Sequence, residues 1–127
     1  MEKFELLLSL IQVKLRIILT KNKGYMLSWD VPNLKNTGDN LTKLAQEVYP
    51  QLVEVEHRIL HYSLRDAGLG MRIRALEVQK RRIEEEDKEY FRGVHDALEN
   101  ICKKIETGEY YKELKKIGNS KLRSNKF

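Results

Sequence analysis

Two histidines and one carboxylate form the most distinctive chemical pattern in this sequence. Glu54, His57 and His61 follow one another at steps of three and four residues, which would place them on one side of a helix. Metal sites in helical bundles use both spacings. A di-iron bundle would need a second set of ligands, and zinc would need a further ligand, for which His95 is the only histidine left. We therefore expect no metal or cofactor, and a solvated helix face with ion pairs instead.

The other residue types that carry chemistry do not form a catalytic pattern. Cys102 is the only cysteine, which excludes an intramolecular disulfide and favours a reducing compartment, the cytoplasm. It lies at the edge of an apolar stripe, where a thiol behaves as a small hydrophobe. The acids at 84–87 would point in different directions on a helix. Because the sequence also contains no phosphate-binding glycine loop, nucleophile elbow or CxxC pair, it predicts a protein that is not an enzyme.

Basic and aromatic residues are interleaved near the C-terminus and could contact nucleic acid. The formal net charge of +5 is concentrated at the ends of the chain, and residues 109–127 carry six Lys/Arg against two acids. The candidate phosphate or base contacts are Tyr110, Lys112, Lys115, Lys116, Lys121, Arg123 and Lys126. Tyrosines can stack on bases while lysines follow a phosphate backbone. Alternatively, the aromatic side chains dock a short helix on the rest of the protein and the lysines stay in water.

Long helices must position these groups. The 127 residues fit one domain, and a charged fraction of 34% with two prolines and seven glycines favours helices over strands. The first helix carries one narrow polar stripe, formed by Glu5, Ser9, Gln12, Arg16 and Thr20. Since nearly all its other residues are apolar, most of its circumference should be covered. We expect it to end at residues 21–24 and a loop to follow over residues 25–38.

A second helix is expected after Asp39 or Asn40. Its apolar residues step by three or four without a break, and these are Leu41, Leu44, Val48, Leu52, Val55, Ile59 and Tyr62. Because this phase continues across Pro50, the pattern predicts one kinked helix. A second apolar stripe, available for contact with another copy of the chain, contains Tyr49, Val53, Leu60 and Leu64.

A third, long helix is expected from about Met71 to Thr107, with the spacing of a coiled coil. Lys80 and Asp87 occupy core-type positions of that spacing. Two antiparallel copies, related by a two-fold axis near Ile83, would place Lys80 of one chain opposite Asp87 of the other. The alternative is that this charged middle segment protrudes into solvent with both residues hydrated.

A short fourth helix should end at Gly118, which gives a bundle domain over residues 1–118 and a basic tail over residues 119–127. The N-terminal apolar run is interrupted by charges, so it predicts neither a signal peptide nor a membrane span.

These patterns together predict an all-α protein, a small helical bundle with a long, coiled-coil-like third helix. The expected function is that of a non-enzymatic protein that forms homo-oligomers and acts by binding a protein partner, with no membrane contact. Nucleic-acid or nucleotide-phosphate binding is the first alternative, and a metal-dependent enzyme is the second. In architecture alone such a bundle resembles phage accessory proteins, virion adaptors and RNA-binding helical subunits, and no motif selects among them.

Overall fold

Helices account for almost all of the chain. The structure, a computed structural model, describes the backbone of residues 2–124 and the side chains of residues 2–119. Over these residues it contains five α-helices and no β-strand. The helices are α1 (Lys3–Ser28), α2 (Val31–Val48), α3 (Arg58–Gln79), α4 (Glu85–Thr107) and α5 (Glu109–Ser124). The predicted all-α bundle is therefore confirmed.

The first four helices form a ring around one apolar core. Helix α2 packs most extensively against α3, while α1 contacts both α2 and α4, and α3 also contacts α4. Helix α5 packs on α4 and on a short 3₁₀ helix, Val55–His57. The fully buried core residues include Ile11, Leu15, Leu34, Leu41, Leu60, Leu64, Met71, Phe91 and Leu98. In this ring α1 and α3 lie on opposite corners.

Helix α1 is longer than the sequence predicts and ends at Ser28, with Trp29 as its C-terminal cap, instead of at residues 21–24. Trp29 adopts the left-handed backbone conformation, with φ 50° and ψ 48°, and the N–H of Asp30 donates to the carbonyl of Tyr25 at 2.9 Å. Glycine is the usual residue in this position. The indole ring packs near Phe91 of α4, with ring centroids 6.5 Å apart. We attribute the choice of tryptophan here to that contact, which gains packing at the cost of backbone strain.

The loop predicted over residues 25–38 is wrong, because α2 begins at Val31. The Asp30 side chain accepts a hydrogen bond from the N–H of Asn33 at 3.3 Å, so Asp30 caps this helix. Pro32 lies in the first turn, where a missing N–H costs nothing. The proline and the turn-forming residues therefore mark the start of a helix.

The single kinked helix predicted around Pro50 is also wrong. Helix α2 ends at Val48, and Pro50 belongs to a 3₁₀ helix, Tyr49–Gln51, after which the chain reverses and α3 begins. Helices α2 and α3 then pack side by side in opposite directions, as the 2.8 Å contact between His61 Nδ1 and the carbonyl of Ala45 shows. The apolar phase continues across the turn because both helices face the same core.

The helix predicted over residues 71–107 corresponds to the end of α3 and the whole of α4. The two are separated by a corner at residues 80–84. Glu84 caps the N-terminus of α4 and forms a capping box with Asp87, in which each side chain contacts the other residue's backbone N–H. The corner returns the chain along the bundle, so that α4 lies beside α1.

Backbone contact between two glycines fixes the pairing of α2 with α3. A Cβ atom on Gly38 would lie 2.6 Å from the carbonyl oxygen of Gly68, and one on Gly68 would lie 2.8 Å from the backbone nitrogen of Thr42. Both distances are shorter than a carbon atom can occupy without displacing backbone. The two helices therefore approach more closely than any side chain would allow.

Gly68→Ala should destabilise the fold, because the added methyl group would push α2 away from α3. We expect a loss of about 2 kcal/mol, the usual range for overpacking a close contact. Gly93→Ala is the matched control, since Gly93 is exposed on α4 and nothing lies within 4 Å of its added Cβ. That change should stabilise the protein by up to about 1 kcal/mol through helix propensity. Urea unfolding followed by circular dichroism measures both, and equal stability of the two variants would contradict the contact.

Candidate binding surface

Helix α1 carries a continuous row of exposed apolar side chains. Leu6, Leu10, Val13 and Ile17 follow one another at steps of four, three and four residues and are 56%, 50%, 54% and 54% exposed. The opposite face of the helix contains Leu8, Ile11, Leu15 and Leu19 and is buried in the core. We call the exposed row the α1 seam. Its spacing is that of a coiled-coil contact, which a second helix would complete.

Lysines line one edge of the α1 seam. Lys14 and Lys21 project from α1, and Lys43 projects from α2 across a cavity of about 260 Å³ that also includes Ile17 of the seam. Among the described residues that line this cavity, Glu47 is the only acid, and it accepts from the ammonium group of Lys14 at 3.4 Å. We call Lys14, Lys21 and Lys43 the lysine edge. It gives the seam a net positive border.

Helix α3 has a second row of partly exposed apolar residues, but charge interrupts it. The row contains Ile59, Tyr62, Leu69, Ile73 and Leu76. Asp66 lies in its middle and accepts from the guanidinium group of Arg65 at 3.1 Å. Arg65 also lies over the ring of Tyr62, 4.8 Å from its centroid. A partner helix would have to displace this charged group, whereas the α1 seam has no such interruption.

A buried polar cluster between α1 and α4 was not predicted. Asn22 is fully buried, and its amide nitrogen lies 3.0 Å from Nδ1 of His95. Nε2 of His95 lies 3.6 Å from the carboxylate of Glu99, which accepts from Arg16 at 2.8 Å. Burial lowers the pKa of His95, and the hydrogen bond from Arg16 lowers the pKa of Glu99. The cluster therefore holds a neutral imidazole beside an ionised carboxylate at neutral pH.

The sequence offered one signal for this cluster, the spacing of four residues between His95 and Glu99 on a helix. His95 is only 5% exposed, so its ring has little access to a substrate and is poorly placed to act as a general base. Its position indicates that the cluster fixes how α1 lies against α4.

Cys102 is buried as predicted. Its thiol contacts the carbonyl of Gln12 at 3.7 Å, and burial raises its pKa. A thiol in this state is a poor nucleophile, so Cys102 acts as part of the core.

The candidate metal ligands Glu54, His57 and His61 do not come together. The turn after Pro50 places Glu54 and His57 outside the helix, where the ring of His57 stacks on Phe4 with centroids 3.5 Å apart. His61 instead faces Ala45 in the interior. Within residues 2–119, no group of three His, Cys, Asp or Glu side chains is placed to hold a metal ion.

The proposed intermolecular pair of Lys80 and Asp87 is contradicted by the structure. Asp87 is 1% exposed, and its carboxylate accepts from Arg81 at 2.7 and 2.9 Å and from Arg74 at 3.1 Å within the same chain. These partners hold the pKa of Asp87 well below its ordinary value. Lys80 is exposed at the end of α3, and Ile83 packs against the protein's own core. The carboxylate is satisfied internally because the chain turns where a continuous helix was expected.

The second predicted contact stripe does not form one surface either. Leu60 and Leu64 are fully buried in α3, so they cannot contact another copy. Tyr49 and Val53 lie in the turn between α2 and α3 and are 40% and 77% exposed. The four residues do not share a face, because the helix that would align them is absent.

The tyrosines of α5 are used to attach that helix to the bundle. Tyr110 is 6% exposed and Leu114 is 2% exposed, and burial raises the pKa of Tyr110 to about 12. The hydroxyl of Tyr111 donates to the carboxylate of Glu2 on the other side of the interface. The buried ring of Tyr110 cannot stack on a base, so its predicted nucleic-acid role is wrong.

The basic residues of α5 are only partly described. Lys112, Lys115 and Lys116 are exposed, and the ammonium group of Lys115 lies 5.9 Å above the ring of Tyr111. Helix α5 continues past Gly118 to Ser124, so the first part of the expected tail is helical. The side chains of Lys121 and Arg123, and all of Lys126, lie outside the described residues.

Comparisons of the chain with protein-family models, with curated proteins and with solved structures find no match. No helix over the described residues combines the length and apolarity needed to cross a membrane.

Asp87→Asn should weaken the corner between α3 and α4. Because the arginine partners are partly exposed, we expect a loss of about 2 kcal/mol, less than for a fully buried pair. The lowered pKa means that the carboxylate stabilises the fold above its ordinary pKa of 3.8, and that this stabilisation is lost as pH falls below that value. Urea unfolding at pH 7 and pH 3 should therefore show a smaller pH effect in the variant.

Lys80→Asp serves as the control and should leave both the stability and the oligomeric mass in solution unchanged. If that change dissociated an oligomer, the result would support the intermolecular pair of Lys80 and Asp87 and contradict the intramolecular assignment.

His95→Gln should remove a pH-dependent part of the stability. Charged groups face the ring from both helices, and these are Arg16, Lys23, Asp96 and Glu99. Since the pKa of His95 is lowered by folding, its contribution is complete above the ordinary pKa of 6.5 and declines as pH falls below it. The wild-type protein should lose stability more steeply than the variant between about pH 7 and pH 5. Parallel pH profiles of the unfolding free energy would contradict this role.

Proposed function

We propose that this protein is a non-enzymatic helical interaction protein that acts by binding another protein through the α1 seam. The observation that carries this proposal is the uninterrupted row of Leu6, Leu10, Val13 and Ile17, each about half exposed on the side of α1 that faces away from the core. Contiguous apolar surface of this kind commonly marks interaction sites. The 3–4 spacing specifies the form of the contact, which is a helix packed along α1.

The positions of the potentially reactive side chains support a binding role. His95 and Cys102 are buried in contacts between α1 and α4. The candidate metal ligands are separated, because His57 stacks on Phe4 and His61 contacts the carbonyl of Ala45. The nucleic-acid alternative relied on aromatic residues in α5, of which Tyr110 is buried. The proposal places the protein in the cytoplasm, which agrees with its single cysteine. Self-association through the same seam, the predicted homo-oligomer, is the competing form of this proposal.

Val13→Glu combined with Ile17→Glu should abolish partner binding while leaving the fold intact. Both side chains are 54% exposed, so charges there remain hydrated in the free protein, and the change in stability should be within about 1 kcal/mol. Binding is measured by capture from the lysate of the source cells, identification of the captured protein and titration with that protein in purified form. Ala97→Glu adds a charge to an exposed position on α4 and is the control. If the double variant bound the identified protein as tightly as the control, the α1 seam would not be the interface.

A further inference from the structure

The charges around the α1 seam discriminate among the molecules that could occupy it. The lysine edge carries three cations. The acid beside it in the cavity, Glu47, is paired with Lys14. Lys21 and Lys43 form no ion pair with any residue that the structure describes. These two ammonium groups border the cavity that continues from Ile17 of the seam. An occupant of the seam therefore has unneutralised positive charge beside it.

The opposite edge of the seam is the polar stripe of α1, which contains Glu5 as well as two basic residues. Arg16 and Lys23 lie there, about two and four turns along α1 from Ser9. The guanidinium group of Arg16 is held by Glu99 at 2.8 Å and Glu106 at 3.3 Å, so its charge is largely compensated within the chain. The lysine edge is thus the border with available charge.

A second copy of α1 is a poor occupant on this ground. If two α1 helices packed in parallel, the lysine edge of one would face Lys23 and the already paired Arg16 of the other, so it would gain no acidic partner that is free. If they packed antiparallel, the lysine edges would face each other. The antiparallel arrangement opposes like charges and the parallel one leaves Lys21 and Lys43 without an acidic partner, so neither matches the charge of the lysine edge.

The width of the seam argues against a membrane surface. Helices that lie on membranes present a broad apolar face, commonly with aromatic residues. The α1 seam follows only the 3–4 positions of one narrow stripe, and Leu6, Leu10, Val13 and Ile17 include no aromatic residue. A narrow stripe of this type fits between the side chains of another helix.

We infer that the α1 seam binds an amphipathic helix of another protein whose flanking positions carry aspartate or glutamate. The apolar side of that helix packs on Val13 and Ile17, and its carboxylates contact Lys21 and Lys43. This inference rests on the proposed function and adds the chemistry of the partner.

The test uses two synthetic helical peptides of about three heptads with leucine at the core positions. One has glutamate at both flanking positions and the other has lysine, and like charges keep each peptide from pairing with itself. The full-length protein should bind the glutamate peptide about tenfold more tightly than the lysine peptide. This preference should decline as NaCl is raised from about 50 to about 500 mM. Fluorescence anisotropy of labelled peptides measures both effects.

Charge reversal on the lysine edge provides the matched variant. Lys21→Glu combined with Lys43→Glu should reverse the preference, so that the lysine peptide binds more tightly. Both positions are exposed, and circular dichroism checks that the helices are retained. The Val13→Glu and Ile17→Glu variant should bind neither peptide. An unchanged preference in the charge-reversed protein would overturn the inference.

Three other results would overturn it in different ways. If neither peptide bound while the seam variant still lost its cellular partner, the proposed function would stand and the acidic chemistry would be wrong. A dimer that strengthened with salt and disappeared on Val13→Glu would assign the seam to a second copy. Binding to vesicles with about one third phosphatidylserine, together with equal binding of both peptides, would assign it to a membrane surface.

Discussion

The bundle depends on one buried carboxylate, that of Asp87. Arg81 and Arg74 neutralise it, and a backbone N–H at the start of α4 also donates to it. A buried anion is stable only where such partners are in place, so these contacts define one geometry for the corner between α3 and α4. That corner brings α4 beside α1 and completes the ring of four helices. The buried face of α1, and with it the orientation of the exposed seam, follows from this arrangement.

The sequence was sufficient for the class of fold and insufficient for its turns. Composition and 3–4 spacing predicted helices, and helices are present. The spacing did not reveal the turn at Pro50, because the helices on both sides of it face one core and therefore keep a common apolar phase. The spacing does not reveal the corner at residues 80–84 for a related reason, since the charged residues there fit a helical pattern. At residues 25–38 the local signals are ambiguous, because Asp30 caps a helix and Pro32 lies in its first turn, while both residue types are also common in loops.

The binding surface was predictable only in part. The sequence indicated that α1 is apolar around most of its circumference and should be covered on most sides. It could not indicate which apolar residues remain outside: Leu6 and Leu7 are adjacent and identical in chemistry, yet they are 56% and 8% exposed. That difference depends on where α2 and α4 lie. The contact between Asn22 and His95 was similarly invisible, because it joins residues far apart in the chain.

The pairing of α1 with α4 also has a consequence for the order of synthesis. Helix α1 leaves the ribosome before α2 and α3, and α4 is translated only after both of them. During that interval α1 has apolar residues on two opposite faces, and neither the core side nor the seam is fully covered. Such surface is prone to association with other nascent or unfolded chains. We therefore expect the rate at which the remaining helices are translated to influence how much of the protein reaches the folded bundle.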